Sequence, residues 1–405
     1  MTQFSEAALS RLIRPMPVEK FLNGVWERTW LHARLADDPG RPDQFDDLVS
    51  VAELDHVLTV VHGAGLRNED AVRVSRGGEA VSPAEWVLHR SDGSTELDVR
   101  RLLSLHREGA TIVLHALQRC IGPVDRLCGE LSAFFGVQVL ANAYLTPPGG
   151  QGFPPHPDDH DVFLLQVAGA KRWRLYDSPV PLRLTEPDRP QKPAAPPEHE
   201  LVLRAGEVLY LPRGLVHEGV AMPGQASVHL TIGVHPYTWA QLLTDVVAEL
   251  REEDEDLRRS VAPRLGDLDA ENGVDATLAE LVGRLRDPGR VRRIRARRAA
   301  TSLLPGRTGM QGRLENLLCP PPIEPHTPVY VIESDAELCR AGAEITLATS
   351  EKVLTLPAFV EPQVRALLAG NAQCAADLDG GLDLAGRLTL VRRLVREGVL
   401  EPRRT

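Results

Sequence analysis

The chain has five cysteines in 405 residues, and none belongs to a CxxC pair. Cys120, Cys128, Cys319, Cys339 and Cys374 are odd in number and scattered. Neither a disulfide framework nor a zinc–thiolate site is suggested. No apolar run approaches the roughly 18 residues that a membrane span requires, so no membrane association is expected. The opening residues, MTQFSEAALSRLIRPM, lack the continuous apolar core of a secretory signal, and a cytoplasmic location is the expectation. No internal repeat is visible. A basic excess is also missing: net charge is −10 and pI about 5.8. A surface that grips nucleic acid all over is therefore not expected, and nucleic acid is not the expected substrate. GGQG (149–152) has neither the lysine nor the following helix of a phosphate loop, and reads as a flexible lip.

The length calls for two or three domains. Residues 18–35 (VEKFLNGVWERTWLHARL) place Phe21, Val25, Trp30 and Leu31 at helical spacing. A second helix is expected to be entered through Ser50, and a third over 123–136, ended by Gly136. The middle third holds short β-like segments separated by Gly and Pro: TIVLHAL, VQVLANAYLT, DVFLLQVAG, KRWRLYD, ELVLRAGEVLYLP and SVHLTIGVH. This pattern predicts antiparallel strands in a sandwich or barrel of the jelly-roll kind. Residues 178–200 are proline-rich and read as an inserted surface loop. After His235 come helical patterns over 239–260, 276–287 and 291–304, the last strongly basic. CPPPIEPHTP (319–328) reads as a linker. The remainder mixes short strands with two helices, as a small α+β domain would.

One stretch concentrates chemistry. HPDDHD (156–161) packs two histidines and three aspartates into six residues. On a strand beginning near His156, alternation would put His156, Asp158 and His160 on one face. A His-x-Asp pair presents one imidazole and one carboxylate to a single ion, and a third ligand must come from a neighbouring strand. His217, after the Pro212–Arg213–Gly214 break, is the candidate. Two histidines and a carboxylate form the facial triad of non-haem iron oxygenases. The alternative is an exposed acidic turn. His160 competes within the motif and is read as a neighbour of the ligands or a surface residue.

Here the residues become recognisable. NAYLTPPGGQGFPPHPDDHDVFLLQVAGAKRWRLYD closely resembles the core of the JmjC-domain ribosomal oxygenases, a family of Fe(II)/2-oxoglutarate protein hydroxylases. LYLPRGLVHEGVA and SVHLTIGVHPYTWAQLL match two later stretches, and FLNGVWERTWLHARL is similar to the family's first helix. The likeness is strongest over about 120–240 and collinear elsewhere. It implies an α+β chain. Residues 1–236 would form a double-stranded β-helix (jelly-roll cupin) catalytic domain with N-terminal helices. Residues 237–318 would be a helical dimerisation domain, and 319–405 a winged-helix-like domain.

By position, the resemblance implies that His156, Asp158 and His217 bind Fe(II), with 2-oxoglutarate and O2 as cosubstrates. Lys171 falls where the family binds the far carboxylate of 2-oxoglutarate, on a strand expected to run antiparallel to the ligand strand. Arg172 and Arg174 read as surface charges flanking a core Trp173. Asn142, Tyr144 and Thr146 share one face of a strand leading to the site, as His229 and Thr231 do on another. Asn142 and Thr231 are assigned to the cosubstrate, and Tyr144, Thr146 and Gln151 to the substrate.

The implied activity is hydroxylation of a residue, Arg or His, in a ribosomal or other basic protein, by a homodimeric enzyme. An acidic surface, EDED (253–256) included, favours encounter with such a partner. Two alternatives stay open: a tailoring hydroxylase of a small molecule or peptide, and a non-catalytic cupin/winged-helix binding protein. RVRRIRARR (290–298) is read as a solvated or dimer-facing helix.

Overall fold

The computed structural model describes residues 6–37, 45–63, 71–91, 93, 95–185, 193, 195–259, 282–283, 289–291, 294, 321–331, 337–348, 353–369 and 373–402. The chain divides into two compact units, one spanning Phe4–Gly306 and one containing Arg307–Thr405. The expected helices at 276–287 and 291–304 lie largely outside the described residues.

The larger unit begins with α1 (Ala7–Ile13), α2 (Val18–Gly24), β1 (Leu31–Ala33) and α3 (Val51–Gly63). The single helix expected over 18–35 is a correction. It ends at Gly24, and Leu31–Ala33 instead pairs with an inner strand as the edge of the main sheet. Ser50 does open the next helix: its hydroxyl accepts from Glu53 N, while the Glu53 carboxylate reaches back to Ser50 N.

Next come β2 (Val72–Arg76), β3 (Glu79–Ala80), β4 (Val87–His89), β5 (Thr95–Leu97), α4 (Val99–Arg107), β6 (Thr111–Leu114) and α5 (Gly122–Phe135). Gly136 caps α5 at φ 67°, a left-handed conformation that costs glycine nothing. The barrel strands are β7 (Val139–Thr146), β8 (Asp161–Ala168), β9 (Ala170–Leu175), β10 (His199–Arg204), β11 (Val208–Leu211), β12 (His217–Ala221) and β13 (Ser227–Val234). The helix α6 (Trp239–Glu253) follows, opened by a capping box of Thr238 and Gln241.

Two antiparallel sheets face each other. The large one runs β1-β11-β8-β13-β7-β6-β2-β3 and the small one β10-β9-β12. Strand alternation divides the side chains into two layers. Leu230, Ile232 and Val234 of β13 and Ala141 and Ala143 of β7 join the N-terminal helices in the main core. Val162 and Leu164 of β8, Trp173 and Leu175 of β9, and Leu209 and Leu211 of β11 fill the space between the sheets. The site is built at one end of that inner layer.

Two local features position it. Gly169 (φ 67°) carries the chain from β8 in one sheet to β9 in the other. A Cβ there would lie 1.9 Å from Ala226 O, so only glycine fits. The expectation that β9 pairs with the strand after the HPDDHD motif is therefore corrected: β9 pairs with β10 and β12. The second feature is the start of β8. Asp161 is fully buried, accepts from Tyr210 Oη at 2.7 Å and pairs with Arg213 at 2.9 Å. Arg213 also pairs with Glu27, so the N-terminal segment is tied to the strand on which the site rests.

The smaller unit contains β14 (Val329–Val331), β15 (Glu337–Ala341), β16 (Glu344–Ala348), β17 (Val353–Pro357), α7 (Glu361–Leu368), α8 (Leu384–Arg396) and β18 (Leu400–Pro402). β15-β16-β17 form one sheet and β14-β18 another, around a separate core that includes Ile345, Val364 and Leu394.

Candidate metal centre

His156 and His217 face each other through an isolated antiparallel bridge, with backbone N–H···O bonds of 3.1 and 3.0 Å in both directions. The strand-face account of the motif is corrected here. Residues 156–160 precede β8 as a loop, so His156 and Asp158 converge by loop geometry rather than by pleat. Pro157, which has no N–H to give a ladder, sits between them. The Asp158 carbonyl instead accepts from Gly214 N, which anchors the loop to the Pro212–Gly214 break.

The two imidazoles are held in the same way. Nδ1 of His156 lies 2.8 Å from Pro154 O, and Nδ1 of His217 lies 2.9 Å from Leu215 O. A carbonyl can only accept, so each Nδ1 carries the proton and each Nε2 is left with its lone pair. Those Nε2 atoms turn to the same carboxylate, 3.8 Å from Asp158 Oδ1 for His156 and 3.5 Å from Oδ2 for His217. One ligand atom from each of the three residues lies within 4.8 Å of the others.

Burial pushes His217 down to about 4, against the pull of Asp158. For Asp158, burial acts to raise the pKa, but His217, His156, His160 and His235 outweigh it and hold it below the usual carboxylate range. Two neutral imidazoles and one carboxylate is the donor set that borderline divalent iron takes.

The lining beyond the cluster comes from four strands. Lys171 on β9 is 3 % exposed and donates to Thr146 Oγ1 on β7 at 3.2 Å. Thr146 also meets Thr111 Oγ1 on β6 at 3.2 Å. The Lys171 ammonium lies 5.3 Å from the centre of the Trp173 ring. Among the described residues no carboxylate comes within ion-pair distance of it. Burial alone lowers its pKa to about 7. The chain has only four lysines, Lys20, Lys171, Lys192 and Lys352, among 46 basic residues, so this position stands out in an arginine-rich sequence. Gly219 of β12 makes room for Lys171: a Cβ there would sit 2.9 Å from its Cε.

The remaining predicted residues divide. Thr231 and Asn142 are register partners on β13 and β7, and His229 and Tyr144 are the next such pair, their rings stacked at 4.7 Å. Asn142 also accepts from Ala116 N at 3.0 Å, so part of its amide is already committed. His229 is buried, its Nδ1 has no hydrogen-bond partner among the described residues, and burial and Lys171 hold its pKa well below 6.5. Gln151 is placed differently from the others. Its amide donates to Glu218 at 2.7 Å, and Glu218 alternates with His217 on β12, so it projects from the opposite face.

His160 does not share a face with the cluster as a ligand; it stacks on His235 at 4.4 Å. The sequence reading missed Phe153, which packs 6.0 Å from Tyr144 and 5.7 Å from His156, and His235. The signal for His235 was present in the alternation of His229, Thr231, Gly233 and His235 along one strand.

Residues 114–242 match the family model described as the JmjC domain. Ribosomal oxygenase 2 of Rattus norvegicus is 34 % identical over 272 residues, covering 66 % of this chain and 56 % of that protein. The bifunctional lysine-specific demethylase and histidyl-hydroxylase NO66 of Aedes aegypti is 32 % identical over 259 residues, 62 % of this chain and 39 % of the relative. The chain thus spans about half the length, or less, of the curated relatives it matches. In fold, the crystal structure of Escherichia coli ribosomal oxygenase YcfD superposes with a TM-score of 0.51 at 17 % identity, over 96 % of this chain and 98 % of that one. Residues 114–242 thus carry a JmjC domain, and over about two thirds of its length the chain is similar to the ribosomal oxygenases.

Proposed function

We propose that this chain is an Fe(II)- and 2-oxoglutarate-dependent oxygenase that hydroxylates an Arg or His side chain of a ribosomal or other basic protein. The observation that carries the reading is Lys171, a buried cation with no counter-ion among the described residues, on the same lining as a His–Asp–His cluster. An unpaired buried ammonium is costly. A dicarboxylate cosubstrate supplies the missing partner, and the donor set suits Fe(II). His156, Asp158 and His217 would hold the iron. When bound, it supplies the redox chemistry by which 2-oxoglutarate, O2 and a C–H bond become succinate, CO2 and C–OH.

The chain's own residues do the positioning. Pro154 O and Leu215 O fix the tautomer and plane of the two imidazoles. Thr146 directs the Lys171 ammonium, and the Trp173 ring covers it from water. His229, kept neutral, adds no second positive charge beside Lys171. Tyr144 and Phe153 form an aromatic edge next to His156, suited to hold a planar side chain near the metal.

Two likenesses support the reading. A structure of the E. coli ribosomal oxygenase was solved with cobalt and 2-oxoglutarate. The Aedes aegypti relative is named as a histidyl-hydroxylase.

The test is anaerobic addition of 2-oxoglutarate to the iron-loaded chain, followed by O2 and a mixture of ribosomal proteins. A visible charge-transfer band on chelation, then release of CO2 coupled to a 16 Da gain on one protein, is the expected result. Bound iron with no band sinks the cosubstrate assignment.

The three-domain division at 236 and 318, the helical dimerisation region and the winged-helix-like end are part of the same proposal. Trp239, Leu243 and Val247 stand 81, 51 and 41 % exposed at successive four-residue steps along one face of α6. Such a stripe suits a second copy of the chain. Leu243→Glu with Val247→Glu is expected to turn a dimer into a monomer by light scattering. A wild type that is already monomeric at the same concentration ends that part of the reading. The exposed thiol of Cys339 suits a reducing cytoplasm.

A further inference from the structure

The last register pair between β8 and β13 is Asp161 with Val234. Just beyond the ends of these two strands, the side chains of His160 and His235 come together. Their rings lie 4.4 Å apart at 23°. Asp159 stands beside them, its Oδ1 2.8 Å from His160 Nδ1. One ligand atom from each of the three residues lies within 4.8 Å of the others. None of them belongs to the first cluster.

We infer that Asp159, His160 and His235 form a second metal site, at the mouth of the barrel, for a borderline divalent cation such as Zn(II), Co(II) or Ni(II). Ligand identity comes first: two imidazoles and a carboxylate suit these ions and not calcium or magnesium. Spacing leaves room for the ion: donors about 2.1 Å from a tetrahedral ion stand about 3.4 Å from one another, and the three here fall within 4.8 Å. The sites are also reachable from solvent, with the His160 and Asp159 side chains 18 and 33 % exposed.

Two further observations separate this arrangement from a simple Asp–His hydrogen bond. That bond accounts for His160 but not for His235, whose ring has no hydrogen-bond partner among the described residues. Gly233 lies beneath the pair, and a Cβ there would stand 2.7 Å from His160 Cδ2 and 2.9 Å from Nε2. The glycine leaves the clearance that lets the ring lie flat against the strand.

Asp158 and Asp159 are adjacent in the chain, so consecutive carboxylates would serve two different ions. Like charges so placed repel, and the second ion binds more weakly than the first.

The test uses the full chain, stripped of metal and dialysed anaerobically against Co(II) alone, with bound cobalt counted and its d–d spectrum recorded. Wild type is expected to hold two equivalents. His160→Asn with His235→Asn, and separately Gly233→Ala, should hold one, and that retained equivalent certifies the fold. His156→Ala with His217→Ala should hold the other one. A wild type with a single equivalent, or a second equivalent that survives both the double asparagine variant and Gly233→Ala, overturns the second site. If instead the His156/His217 variant loses nothing, the first cluster is not a metal site and the iron reading fails on its own account.

Discussion

Asp158→Ala is expected to abolish iron binding and turnover while leaving a folded barrel. That is the largest effect expected of any single substitution here. Asp158 is the one anion between two imidazoles whose lone pairs both face it, at 3.8 and 3.5 Å. Without it, two neutral donors remain to hold a divalent ion. The loss should exceed the roughly 10–100-fold that follows removal of an outer partner of a ligand. The fold should survive. The loop is fastened by backbone bonds, Asp158 O to Gly214 N and the His156–His217 bridge, and none of these involves the deleted carboxylate. Iron content by elemental analysis and 2-oxoglutarate decarboxylation are the two readouts, with a melting curve as the control. Iron retained at wild-type affinity would remove Asp158 from the ligand set.

Lys171→Met should separate stability from function. The wild-type ammonium is buried, has Thr146 as its one hydrogen-bond partner among the described residues, and has its pKa pushed down to about 7 by burial. Methionine fills the same volume without desolvating a charge. The chain without cosubstrate is therefore expected to gain about 1–3 kcal/mol. The 2-oxoglutarate concentration needed for half-maximal rate is expected to rise roughly hundredfold or more, because the buried ion pair is lost.

The pH dependence follows from the same shift. Between about 7 and 10.5 the unfolded chain keeps the lysine proton that the folded chain has released. Stability without cosubstrate therefore rises with pH across that window. Cosubstrate affinity runs the other way, because the carboxylate needs the charged form; it should fall by up to about tenfold per unit above pH 7. The groups facing Lys171 do not compete for this titration. Thr146 and Trp173 are uncharged there, and His229 is neutral well below that range. Lys171→Met should remove the slope. A slope that persists in the variant would place the titrating group elsewhere.

Much of this site was legible in the residues, and the misses have physical causes. His156, Asp158 and His217 could be paired because His-x-Asp and a histidine after a Pro-Arg-Gly break are rare combinations between β-like segments. Their convergence comes from a loop and not from the pleat of a strand. Alternation predicts a strand back to His156, whereas Pro154, Pro155 and Pro157 remove three ladder donors and leave only the isolated His156–His217 bridge there. The AGA turn was visible, but a sequence cannot say whether two strands joined by one glycine pair or part. Here they part, because Gly169 crosses between sheets. Gln151 looked like a pocket residue from its lip; only the register of β12 shows its amide turned to Glu218 on the other face. The tract from 18 to 35 kept helical spacing past Gly24, and nothing local announced that Leu31–Ala33 would find β11 almost 180 residues away.

The pairing of β9 with β12 has a consequence for the size of the small molecule the barrel accepts. His217 lies opposite Leu175, and Lys171 lies opposite Ala221. Four residue steps along β12 therefore separate the metal-side imidazole from the anchor, about 13 Å of strand. Both side chains project to the same face, so this backbone interval acts as a caliper. It measures the distance between the two acid groups of the cosubstrate, and it is set by hydrogen-bond register, not by the bulk of any wall residue. A register slip keeping both side chains on that face must move two residues, opening or closing the jaws by about 6.6 Å. Ladder register permits no smaller change. On the proposed function, the length of the 2-oxo acid is thus gauged in whole steps of the sheet.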